Sequence, residues 1–309
     1  MRKRDVYYWQ ERSILNKLDQ EWKEHLVFKI IDNDDIAGVG AATPNKEFGE
    51  TFKTSMAIVE SLRKTTENFD DLNNIIDFEN NVHSLIKKDM AAKTTVFLAV
   101  YDYISNKNKI NLENYYFNLN DHHKKDSYER IIINENTKNK VSESQNVKLD
   151  VESYVVPEKL IEIINNFDNS NITVDFSGLY NPFEIDFIIK NINNSRPINL
   201  EQPFKYGQEH IAKEYLNMGH KVYWDESFHN IFDFHRIKKY STGFVFSLSK
   251  MASLLNISTL LRYVKENGFE TVISSKLEHP INLKWSNKIS NAFDITDLNY
   301  SKYIKTTNK

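Results

Sequence analysis

Three carboxylates in this chain of 309 residues stand where short apolar runs end. Ile172-Thr173-Val174 runs into Asp175, Pro197-Ile198-Asn199-Leu200 into Glu201, and Lys221-Val222-Tyr223-Trp224 into Asp225. They are spaced 26 and 24 residues apart, one strand-plus-helix unit each. If the runs are neighbouring parallel strands, the three side chains emerge together at the C-terminal rim, the face on which βα barrels carry their chemistry. Three carboxylates that close repel one another unless a cation sits among them, and an all-oxygen donor set suits Mg2+ or Mn2+. Any one of these acids taken singly is explained as well by a helix N-cap or a solvated loop. Three in register make a metal site the stronger reading.

The elements that must position them follow a rhythm. Apolar runs recur at Val147 to Val151, Ile172 to Phe176, Ile198 to Leu200, Val222 to Trp224, Phe244 to Leu248 and Thr271 to Ile273. Between them lie helical patterns at Pro157 to Phe167, Pro182 to Ile192, Gln208 to Met218 and Leu254 to Asn267. Alternation of this kind predicts parallel βα units. A doubly wound sheet and a barrel both fit it, and the strand-end acids favour the barrel. Ahead of it, strands are expected at Val6 to Gln10, Leu26 to Ile31 and Ile36 to Gly40, where Gly38 and Gly40 suit a bend or a close backbone approach. Helices are expected over Glu50 to Lys64, Leu72 to Lys88 and Met90 to Ile104, so residues 1–105 read as an α+β block. Residues 106–291 read as the barrel, and a tail at 292–309 is free to pack on the first block. Tyr115 to Leu119 reads as a strand, and 120–146, rich in Asn, Lys and Glu, as an exposed polar excursion.

Composition excludes several classes. Hydrophobic residues make up 40% and charged residues 27%, and the formal net charge is −3 with both signs dispersed, which offers no attraction to nucleic acid or a membrane. No apolar run approaches the roughly 20 residues that span a bilayer, and the start of the chain does not read as a signal peptide. A cytoplasmic setting is the default expectation. The absence of cysteine removes disulfides, thiolate metal sites and cysteine nucleophiles. A small-molecule carboxylate is the expected partner, and nothing excludes a homo-oligomer. His122-His123, His229 and His235 read as surface residues, and Tyr7, Tyr8 and Trp9 as packing of the first block.

The words around the acids are more specific than their spacing. Val174-Asp175-Phe176-Ser177, Leu200-Glu201-Gln202-Pro203-Phe204 and Trp224-Asp225-Glu226-Ser227 resemble the three metal-ligand motifs of the enolase superfamily, in its muconate-cycloisomerase branch. Gly38-Val39-Gly40-Ala41-Ala42-Thr43-Pro44 resembles the capping-domain motif, with Ala41 where that family has glutamate, and Ala91 to Asp102 resembles the helix leading into the barrel. Within the branch, Val6-Tyr7-Tyr8-Trp9-Gln10 and Val272-Ile273-Ser274-Ser275-Lys276-Leu277-Glu278 are similar to o-succinylbenzoate synthase. The resemblance implies an α/β fold, a (β/α)7β TIM-like barrel preceded by an α+β capping domain. It implies Asp175, Glu201 and Asp225 as Mg2+ ligands, and Ser274, Ser275 and Lys276 as substrate-binding residues. The implied activity is that of a lyase in menaquinone biosynthesis, which removes a proton next to a carboxylate and eliminates water.

The family's two catalytic lysines are where this chain departs. The Lys-x-Lys word of the second barrel strand reads Lys148-Leu149-Asp150, and the sixth-strand lysine is matched by Ser247, with Lys250 three residues on at a non-catalytic place. An aspartate, with a reference pKa near 3.9, is a far weaker base than a lysine amine of lowered pKa, and serine alone is none. Lys148, on the same face of its strand as Asp150, and Lys276 are the candidate replacements. Three readings follow: an o-succinylbenzoate synthase-like metal-dependent lyase with substituted acid–base groups, a catalytically degenerate metal-binding relative, and a dipeptide epimerase or cycloisomerase.

Overall fold

A computed structural model of the chain describes residues 4–15, 21–69, 71–117, 119, 126–137, 142, 144–167, 171–193 and 196–305. His122-His123 and the excursion residues 120–125, 138–141 and 143 lie outside them.

The first block is a sheet with helices on one face. Strands β1 (Arg4–Leu15), β2 (Trp22–Asp32) and β3 (Ala37–Ala42) form an antiparallel meander. Alternation along β2 turns Leu26, Phe28 and Ile30 to the core, each fully buried. Helices α1 (Phe52–Asn68), α2 (Ile75–Leu85) and α3 (Met90–Asn108) cover that face. The close approach expected of the glycines is real. A Cβ on Gly38 would lie 2.2 Å from Tyr103 N, and one on Gly40 2.1 Å from Thr95 O, so β3 packs directly on the α3 backbone. Tyr8 packs on the core, whereas Tyr7 and Trp9 face outward, contrary to a packing role for all three.

Tyr115 belongs to a short helix, α4 (Leu112–Phe117), rather than to the expected strand. Its aromatic residues favour a strand intrinsically, but Tyr116 and Phe117 pack on the core from a helical turn that leaves Tyr115 exposed, and packing overrides propensity. The polar excursion hides two strands that the sequence reading did not anticipate. Asp126–Ser127 (β4) pairs with the last barrel strand, and Glu129–Ile133 (β5) pairs with the second. One segment thus touches both edges of the sheet and closes the ring around Tyr128.

The other staves follow in chain order: β6 (Asn146–Val151), α5 (Pro157–Asn165), β7 (Asn171–Asp175), α6 (Pro182–Lys190), β8 (Asn199–Glu201), α7 (Ala212–Asn217), β9 (Lys221–Trp224), α8 (Ile231–Ile237), β10 (Gly243–Phe246), α9 (Leu248–Met251), α10 (Leu254–Glu266), β11 (Glu270–Ser274), α11 (Pro280–Ile289) and β12 (Ile295–Asp297). All neighbours in the ring are parallel, in the order β4-β12-β11-β10-β9-β8-β7-β6-β5. The tail divides. Its β12 completes the barrel, and β13 (Ile304–Lys305) pairs with β1, tying the tail's end to the first sheet. Among the described residues no helix is long and apolar enough to cross a membrane.

Candidate active site

The inside of the ring changes character from bottom to top. Tyr128, Tyr223, Val245, Val272 and Ile295 form an apolar plug at its base. One pleat above, the inward positions carry Arg130 on β5, Lys148 on β6, Ser274 on β11 and Asp297 on β12. At the rim, register sets Asp150, Asp175 and Glu201 side by side on β6, β7 and β8. Asp225 follows the end of β9 directly, and Ser247 that of β10.

Lys148 points inward and is fully buried. Its Nζ lies 2.5 Å from Glu201 Oε1, 3.0 Å from Asp297 Oδ2 and 3.1 Å from Asp175 Oδ2. Burial alone would lower the pKa of this amine, but Asp175, Asp297 and Glu201 outweigh it and hold it well above its ordinary value. Glu201 is pushed up by burial and by neighbouring Asp175. Asp175 resists its own burial and is held low by the Lys148 charge. Asp225 is held by another lysine. Lys250 Nζ donates to its Oδ1 at 2.5 Å, to its carbonyl at 2.9 Å and to the Val245 carbonyl at 2.7 Å.

Asp150 is locked as well. Arg130 Nη1 donates to its Oδ2 at 2.5 Å, and Tyr300 Oη donates to the same oxygen. The guanidinium also grips Asp297 through Nε at 2.9 Å and through Nη2, and it stacks 3.9 Å from the centre of the Tyr300 ring. Arg130, Asp297 and Tyr300 were not anticipated. Asp297 also ends a strand in a carboxylate, but only Ile295 and Thr296 separate it from Asp294, so no apolar run marks it in the sequence.

Asp150 and Ser247 meet at a cleft of about 220 Å³ between barrel rim and cap, whose walls include Ser177, Ser249, Ser274, Lys276, Glu226 and Glu278 with Lys23, Thr43 and Asn45 from the cap side. Ser247 stands at the N-cap of α9 without a side-chain capping bond. Ser274 hydrogen-bonds Asp297 at 3.2 Å. Ser275 is buried and not part of the cleft wall. Lys276 Nζ lies 3.1 Å from Glu226 Oε1 and 3.9 Å from Asp225 Oδ2, and its side chain is 30% exposed. Burial would lower its pKa, but Glu226, Asp175 and Asp225 hold it well above the ordinary lysine value. Burial raises the carboxyls of Glu226 and Glu278 to about 7 each. A larger groove of about 1410 Å³ runs alongside and shares Glu47, Phe48 and Glu226 with the cleft. His229, half-buried with its ring 5.1 Å from Phe48, and His235, exposed as expected, both line that groove.

The donor chemistry of Asp175, Glu201 and Asp225 suits a hard divalent cation, but their arrangement does not fit one. Two of the three are gathered on Lys148 and the third on Lys250, and no cluster of three acidic or imidazole groups able to hold a metal forms among the described residues.

No family model matches the chain, and no curated protein sequence does. Solved structures match along its whole length. A dipeptide epimerase from Enterococcus faecalis, complexed with Mg and the dipeptide L-Leu-L-Tyr, superposes with a TM-score of 0.84 at 15% identity, covering 100% of this chain and 93% of that one. The shared fold is a TIM-like barrel behind an α+β capping domain. The L-Ala-D/L-Glu epimerase of Bacillus subtilis gives 0.84 at 15% identity over 99% and 92% of the two chains. A mandelate racemase/muconate lactonizing protein from Herpetosiphon aurantiacus gives 0.82 at 16% over 98% and 90%. The enolase-type likeness does not single out the o-succinylbenzoate synthase branch.

Proposed function

We propose that this protein is an enolase-fold ligand-binding protein whose rim cleft takes a small carboxylate-bearing molecule and whose proton-transfer chemistry has been lost. The observation that carries this is the state of the two strand ends that face each other across the cleft. Asp150 is tied to Arg130 and Tyr300, and Ser247 bears no amine. Removing a proton next to a carboxylate needs a base whose pKa lies near the working pH, and loss of one such group costs about 10² to 10⁴ in rate. Neither candidate replacement supplies it. Lys148 is buried beneath the rim among three carboxylates, and Lys276, though it reaches the cleft, is held protonated by its acidic neighbours. Lys276, 30% exposed beside Glu226, stands in a cleft wall that also carries Ser177, Ser247, Ser249 and Ser274, and these donors are suited instead to hold an anionic group.

The alternative is an active enzyme, either a dipeptide epimerase or an o-succinylbenzoate synthase-like lyase. The epimerase reading draws support from the fold likeness to dipeptide epimerases, some of them complexed with Mg and dipeptides. The test is incubation in D2O with L-Ala-L-Glu, and separately with the cyclohexadiene precursor of o-succinylbenzoate, with and without Mg2+. Exchange of the α-proton is followed by NMR and dehydration by absorbance. The wild type is expected to show calorimetric binding that Lys276→Met weakens, with neither exchange nor dehydration above the buffer rate. Exchange or dehydration by the wild type, absent in Lys148→Ala or Lys276→Met, establishes the enzyme and removes this reading.

A further inference from the structure

We propose that Lys148 and Lys250 take the place of a divalent cation in this barrel, so that its strand-end carboxylates are held together by the chain's own ammonium groups and not by metal. The inference concerns what neutralises the rim and stands whether or not the cleft is catalytic. An ammonium has three N–H donors and no acceptor. Those of Lys148 face Glu201 at 2.5 Å, Asp297 at 3.0 Å and Asp175 at 3.1 Å. Those of Lys250 are taken by the Asp225 carboxylate, the Asp225 carbonyl and the Val245 carbonyl, all within 2.9 Å. Both side chains are completely buried, so no water competes for these donors.

The two ammonium groups together bring two positive charges to Asp175, Glu201 and Asp225, the charge that one divalent ion would bring. They also block it. A Mg2+ ion needs its oxygen ligands at about 2.0 to 2.1 Å in a near-octahedral shell. Drawing Glu201 and Asp175 onto such an ion would place it beside Lys148 Nζ, like charge against like charge in a buried site, and would leave the Lys148 donors with Asp297 alone. Asp297 reinforces the arrangement. It enters from β12, on the opposite side of the ring from Glu201, so the Lys148 ammonium crosslinks strands that a rim-bound ion would not reach.

The experiment is titration of the purified full chain with Mn2+, reading free aquo-ion by electron paramagnetic resonance, with melting temperature measured in chelator and in excess Mg2+. The wild type is expected to leave the free Mn2+ signal undiminished and to melt at one temperature in both media. Lys148→Met, which leaves Glu201 and Asp175 without their ammonium, is expected to remove about one equivalent of Mn2+ per chain and to melt higher in Mg2+ than in chelator. Stoichiometric Mn2+ uptake by the wild type that Asp175→Asn/Glu201→Gln abolishes overturns the proposal. Uptake that survives that double substitution is adventitious surface binding and leaves it standing. Should Lys148→Met fail to fold, the wild-type titration decides by itself.

Discussion

Substituting Arg130 by Met tests whether the barrel interior is a bonded ion network. The side chain is fully buried between two acids, donating to Asp297 through two nitrogens and to Asp150 through a third, with its face on Tyr300. Met fills similar length without charge, so the perturbation removes the cation and leaves both carboxylates in place. Asp297 keeps Lys148 at 3.0 Å and Ser274 at 3.2 Å, and Asp150 keeps only the Tyr300 hydroxyl. Breaking a buried pair from one side costs about 3 to 5 kcal/mol, chiefly because the surviving charge is stranded away from water. An unfolding entropy of roughly 2.1 cal/mol/K per residue, scaled to this chain, is about 0.65 kcal/mol/K, so the loss lowers the melting temperature by about 5 to 8 °C. A circular dichroism melt at pH 7 measures it, and added salt should change the difference little because the pair is unscreened. Arg130→Met/Asp150→Leu, which removes the stranded acid as well, should melt above the single variant. A single variant within about 2 °C of the wild type, or a double variant that melts below the single, refutes the network.

Two further outcomes follow from the cap. Glu79 is buried under Tyr101, whose hydroxyl donates to it, and burial raises its carboxyl from 4.5 to about 7. The folded state therefore holds a proton that the unfolded chain releases, so this stability is complete below about pH 4.5 and is lost as pH rises through 7, some 3 kcal/mol in all. Melting of the wild type against Glu79→Gln between pH 5 and 8 should show the variant gaining on the wild type as pH rises, and parallel curves would refute it. Gly40→Ala would drive a methyl group to 2.1 Å from Thr95 O and 2.4 Å from Ala99 N, both backbone atoms that cannot step aside. The sheet must lift from α3 at a cost of about 3 kcal/mol or more, read as a melting temperature lower by about 5 °C or as loss of soluble protein.

How much of this was legible depended on whether the information was local. The βα rhythm and the strand-end acids could be read because each is a pattern within one element, and the structure returns those strands within a residue or two. Lys148 could be placed on the same face as Asp150 by alternation alone, and it does point inward. The polar excursion misled because the short run Ile131-Ile132-Ile133 stands among Asn, Lys and Glu residues, and Arg130 ahead of it looks like a solvent-facing residue. A charge on a barrel strand reads as exposed until the ring is closed and its partners at 150 and 297 are known. The same holds for Asp297, which lies 149 residues from Lys148 along the chain. Tyr115 to Leu119 failed for a different reason, since intrinsic preference decides little where tertiary packing can supply more.

Positions 150 and 247, where the resemblance would place lysines, do not have equal standing. Ser247 keeps an ordinary position at a helix start and makes no side-chain capping bond. Asp150 belongs to a set. Its charge answers Arg130, Arg130 answers Asp297, and Tyr300 covers both, so a lysine placed at position 150 alone would stand against a buried guanidinium with no acid between them. A base for carbon-bound protons must be free to lose its own proton, and that requires an unpaired amine facing the cleft. Every cation that this ring places below its rim is instead paired with at least one carboxylate. Below the rim the described charges are arranged in neutralised sets, and on the proposed reading the Arg130 network is what a proton-transferring amine at position 150 would have to displace.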